Sequence, residues 1–70
     1  MNIRIIFVFN SKAKKELEVK GFSKIDVIRK KINSCKKKGT PFEYITNTQT
    51  GEGVSIFLED VDFIEYELVR

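Results

Sequence analysis

The chain is 70 residues long, with one cysteine (Cys35) and no histidine, which excludes a disulfide framework, a zinc site built from this chain alone, and any imidazole-based acid–base chemistry. Lys and Arg outnumber Asp and Glu 13 to 10, but residues 1–38 hold twelve cations against Glu16, Glu18 and Asp26, while residues 39–70 hold Arg70 against seven carboxylates. A balance of +9 in one stretch and −6 in the other predicts a surface with a basic and an acidic region, each a docking site for an oppositely charged partner.

Residues 2–9 are β-branched and aromatic without a breaker: Ile3, Ile5, Phe7 and Phe9 on one face, Ile6 and Val8 on the other. That pattern predicts a central strand covered on both sides. Residues 10–15 are polar and read as a turn. In residues 16–20, Leu17 and Val19 alternate with Glu16, Glu18 and Lys20, which predicts a partner strand closing a hairpin.

The next segment predicts a helix over 24–38. Ser23 is a good N-cap, Asp26 stands where a capping box has its acid, and Phe22 with Val27 matches a hydrophobic staple. Ile25, Ile28, Ile32 and Cys35 form one apolar stripe at the helical period. Lys36, Lys37 and Lys38 suit the negative end of the helix dipole, and Gly39 and Pro41 end the helix.

The remainder reads as three strands, 42–46, 54–58 and 63–69, separated by the polar loop 47–53 and a turn at 59–62. The last strand sets Ile64, Tyr66 and Leu68 against Glu65 and Glu67. The expected fold is one α+β domain over residues 1–70, in the order β-β-α-β-β-β. A single helix packs on a four- or five-stranded antiparallel or mixed sheet, and short connections favour a meander of the last three strands.

Five features bear on function. Lys24, Arg29, Lys30, Lys31, Lys36, Lys37 and Lys38 surround most of the helix and form a candidate nucleic-acid surface whose binding would fall steeply with salt. The plainer reading is a solvated face, and lysine, not the bidentate arginine of base readout, dominates. Phe7, Phe9, Phe42, Tyr44, Phe57, Phe63 and Tyr66 fall in strands; they read as core before they read as a base-stacking platform. Glu59, Asp60, Asp62, Glu65 and Glu67 cluster without calcium-loop spacing, and of these Glu59, Asp62, Glu65 and Glu67 are candidates for docking a basic protein partner. The segment Thr50-Gly51-Glu52-Gly53 lacks the lysine and hydroxyl of a phosphate loop and reads as a hairpin turn. Cys35 lies on the apolar stripe with no base to activate it.

No cofactor, metal or catalytic group is expected, and no enzyme. The longest apolar run, Ile5–Phe9, is far below the roughly 20 residues of a membrane helix. Lys12, Lys14 and Lys15 follow it in place of a signal cleavage site, so with a lone thiol the expectation is cytoplasmic and free of membrane.

Three patches carry a family resemblance: Gly21-Phe22-Ser23-Lys24-Ile25-Asp26-Val27 at the helix start, Glu43-Tyr44-Ile45-Thr46 after it, and Phe63-Ile64-Glu65-Tyr66-Glu67 at the end. Together they resemble the small epsilon subunit of Gram-positive bacterial RNA polymerase, a compact α+β protein without catalytic activity, similar in fold to phage-encoded polymerase inhibitors. The chain departs from that family in being basic and in its longer spacing between the second and third patches. The resemblance implies an accessory role beside a larger protein, and mobile-element accessory proteins offer a second analogy. The resulting expectation is a non-enzymatic module that binds and modulates a larger protein. If the last strand is a sheet edge, it can extend a partner's sheet or pair two copies into a homodimer. The competing expectation is nucleic-acid binding through the helix.

Overall fold

The computed structural model describes residues 2–21 and 24–69. These residues form an α+β structure of one α-helix and five strands. Strands β1 (Asn2–Phe9) and β2 (Lys14–Val19) form the expected hairpin, with Ile5 opposite Leu17 and Ile3 opposite Val19. Helix α1 (Ile25–Lys38) follows, then β3 (Phe42–Asn47), β4 (Glu52–Ile56) and β5 (Val61–Val69).

The strands divide into two antiparallel sheets where one was expected: β2-β1-β5 and β3-β4. The meander is broken between β4 and β5 by a short 3₁₀ turn, Leu58–Asp60. Leu58, expected at the end of the fourth strand, instead turns into the core and is buried. The Asn10 N–H donates to the Asp60 carbonyl oxygen at 2.9 Å and fastens the turn beside the end of β1. From there β5 runs antiparallel to β1 along its whole length, from Asn2 opposite Val69 to Phe9 opposite Val61, with one irregularity at Val8/Phe9. The physical reason is that β1 is the most apolar strand and needs a neighbour on each edge to satisfy its backbone groups.

Helix α1 buries Ile28 and Ile32, with Ile25 and Cys35 half-buried beside them, as the stripe predicts. It starts one residue later than expected: Lys24 occupies the N-cap position, and the Ser23 cap and Phe22 staple lie outside the described residues. Asp26 lies in the first turn and pairs with Arg29 at 3.6 Å. At the other end Gly39 adopts a left-handed φ of 73°; its N–H and that of Thr40 return to the carbonyls of Lys36 and Cys35. This is the hydrogen-bonded stop that glycine permits without strain.

The helix and the β3–β4 hairpin lie on one side of the three-stranded sheet. Ile3, Ile5, Phe7, Leu17 and Val19 meet Ile28, Ile32, Phe42, Ile56 and Leu58 in one core, where the Phe7 and Phe42 rings stand 6.1 Å apart. The hairpin turn is closed by the Asn47 side-chain oxygen, which accepts from the Gln49 and Thr50 N–H groups, and by Gly51 at a φ of 79°. The expectation that β1 is covered on both sides is corrected: no layer of the described residues lies over Arg4, Ile6 and Val8. Ile6 on this side is half-buried and Val8 is only 4% exposed.

Candidate functional site

The uncovered face follows from strand register. Side chains alternate between faces, so residues opposite Arg4, Ile6 and Val8 share their side. Across the sheet the rows are Glu18–Arg4–Glu67, Glu16–Ile6–Glu65 and Lys14–Val8–Phe63. The face therefore has an apolar centre of half-buried Ile6 and buried Val8 (4% exposed), continued by half-exposed Phe63, with four carboxylates and Lys14 flanking it. Arg4 sits between two of them; it pairs with Glu67, while the Asn2 side-chain N–H donates to Glu18 at 2.9 Å.

Glu65 and Glu67, two of the residues singled out by sequence, lie on this face. Glu16 and Glu18 belong to it as well and were missed, because they sit within the basic stretch of the chain. The signal was available in their alternation with Leu17 and Val19, but it gains meaning only once β5 is known to lie on the far side of β1.

Asp62 and Glu59 lie elsewhere. Asp62 lines an open groove of about 230 Å³ between α1 and β5, with Arg29, Lys36, Ile64 and Tyr66. Glu59 lines a second depression with Lys36, Pro41 and Phe57. The four acids expected to act together thus split into a pair on the sheet face and two residues near the basic end of the helix.

The seven helix cations are all exposed. Arg29 and Lys36 form the flank next to β5, and the Arg29 guanidinium lies over the Tyr66 ring at 5.2 Å. Burial raises the Tyr66 phenol above its ordinary value, and the nearby Arg29 charge partly opposes the shift. By helical spacing Lys30 and Lys37 point away from the core stripe. Both the Arg4–Glu67 pair and the Asp26–Arg29 pair stay within one layer. Opposite charge is separated only in part: the helix and its N-cap carry seven cations and Asp26, with Glu59 and Asp62 near the basic end, while the sheet face carries four carboxylates with Arg4 and Lys14 among them.

The aromatics do not gather on one exposed surface. Phe7 and Phe42 are core, Phe9, Tyr44 and Tyr66 are half-buried against it, and Phe57 and Phe63 are exposed at separate places. The Tyr44 hydroxyl accepts the Lys20 N–H at 3.0 Å, joining β3 to the end of β2. Among the described residues no polar or charged side chain is buried, no group of His, Cys, Asp and Glu is placed to hold a metal, and no helix is long and apolar enough to cross a membrane.

Compared with known proteins, the chain matches no family model, no curated protein and no solved structure.

Proposed function

We propose that the protein is a small non-enzymatic module that binds a larger protein and modulates it, docking through the outer face of the β2-β1-β5 sheet. The observation that carries this reading is the composition of that face: half-buried Ile6 and half-exposed Phe63 around buried Val8, flanked by Glu16, Glu18, Glu65 and Glu67, with Arg4 and Lys14 as the cations among them. An apolar patch with a charged rim is the usual anatomy of a protein interface. Carboxylates on the rim steer and orient a basic partner, with effects mainly on association rate and salt dependence. The resemblance of the helix start and of residues 63–67 to the polymerase epsilon subunit directs the search toward the transcription machinery, and the analogy to mobile-element accessory proteins toward their host complexes. The setting proposed is the cytoplasm.

Affinity capture from a nuclease-treated lysate tests this reading. The expected result is a partner protein retained after nuclease and released by raised salt. Retention of nucleic acid alone, lost on digestion, would remove it.

The second reading is nucleic-acid binding by α1, favoured by the exposure of Lys24, Arg29, Lys30, Lys31, Lys36, Lys37 and Lys38 along a helix whose one acid is Asp26. It predicts salt-sensitive retention of DNA or RNA on filters that a Lys30/Lys31/Lys37→Glu variant loses. The absence of binding at low salt would eliminate it.

A further inference from the structure

Strand β5 is an open edge of the three-stranded sheet, and it differs from the opposite edge in ways that bear on its use. Edge strands present unpaired N–H and C=O groups and are commonly blunted by shortness, lysine or proline. The other edge, β2, is six residues long with Lys14 and Lys15 exposed, and its end is joined to the hairpin through Tyr44. Strand β5 is the longest strand, nine residues, with neither lysine nor proline. Its helix-facing side chains are not closed over: Leu68 is 47% exposed, and Ile64 and Tyr66 floor the groove beside α1. Its other face carries Glu65 and Glu67.

Resting on the docking role proposed above, we infer that β5 takes up an extended partner segment as a fourth, antiparallel or parallel strand, and that this segment alternates basic and apolar residues. The alternation follows from the two faces of the edge. Side chains on the outer side of an added strand fall beside Phe63, Glu65 and Glu67, where Lys or Arg is favoured across strands. Those on the inner side fall beside Ile64, Tyr66 and Leu68, where apolar groups gain by covering exposed hydrocarbon. Main-chain hydrogen bonds supply affinity and the alternating side chains supply specificity, as in strand addition generally.

A second copy of this chain is a poorer occupant. The antiparallel self-pairing that overlaps the whole strand sets Glu65 directly against its own copy, and the register centred on Tyr66 sets Glu65 against Glu67 twice. Like charges directly opposite are destabilising.

The test uses the whole protein, labelled with ¹⁵N, and a capped heptapeptide of alternating Lys and Val. Two control peptides are the same sequence N-methylated at alternate residues and a block permutation with all lysines first. Saturable amide shifts along Val61–Val69 are expected, with affinity at least about tenfold lower for both controls and for the Glu65→Gln/Glu67→Gln variant. Equal binding of the N-methylated peptide, with shifts spread to Glu16 and Glu18, would overturn strand addition while leaving the acidic face as a docking surface. No binding of any basic peptide to either the edge or the face would overturn both. A homodimer in sedimentation equilibrium that the peptide fails to displace from β5 would also overturn the inference.

Discussion

Glu67 in the last strand is ion-paired with Arg4 in the first, 63 positions away in sequence, across the uncovered side of the sheet. The pair marks the register by which β5 joins β1, and it holds the one cation at the centre of an acidic row. Its side chains are 39% and 50% exposed, so its own contribution to stability is small. A double-mutant cycle with Arg4→Gln and Glu67→Gln should give a coupling of roughly 0.2–1 kcal/mol in urea unfolding. A much larger coupling would mean that the pair is buried within a further layer.

The hairpin outside the main sheet leans on the core through one ring. Phe42 is fully buried and faces Phe7. Phe42→Ala should lower unfolding free energy by about 3–5 kcal/mol, a large part of what a domain this small has. Ile45→Ala, in the same strand but 53% exposed, should change it by no more than about 0.5 kcal/mol. Equal effects at the two positions would place the hairpin differently.

Gly53 has a steric role. A Cβ there would lie 2.6 Å from the Tyr44 carbonyl oxygen and 3.2 Å from the Ile45 Cα, both backbone atoms of β3. The strands would have to separate, so Gly53→Ala should destabilise by about 1–3 kcal/mol. Gly51, in the turn, has open space around it; replacing it by Ala is opposed only by its positive φ. Calorimetric melting of the two variants separates crowding from backbone strain.

Much of this architecture was legible from local patterns. Ile25, Ile28, Ile32 and Cys35 mark the helix face, Leu17 and Val19 the inner side of β2, and Gly39 the helix stop. The placement of β5 was not legible. Residues 54–58 read as a strand and the short stretch 59–62 as a turn to a neighbouring one, and nothing local shows that Leu58 turns into the core and sends the chain to the far edge of β1. The candidate site suffered for the same reason. Glu65 and Glu67 stand out in an acidic segment, whereas Glu16 and Glu18 lie in a basic one, and only the tertiary pairing through β1 brings the two sets onto one face.

Tyr66 gives a pH signature. Burial, the larger cause, raises its pKa above the ordinary value near 10, with Arg29 opposing. Because the folded protein holds the phenol proton more tightly than the unfolded chain, this group's contribution is complete below pH about 10 and is lost as pH rises through the folded value. Denaturation midpoints measured across that alkaline window should fall more steeply in the wild type than in Tyr66→Phe. Identical slopes would mean that the phenol is not desolvated beside Arg29.

Docking through the carboxylates of the sheet face is tested most directly by comparing two charge-reversed proteins for retention of the captured partner. One carries Glu16→Lys and Glu65→Lys on the sheet face; the other carries Lys30→Glu and Lys37→Glu on the helix. All four side chains are exposed, so both variants should fold, which circular dichroism checks. Docking through the sheet face predicts that the first variant loses the partner by about tenfold or more in affinity while the second retains it. Loss in the helix variant with full retention in the sheet variant would contradict it.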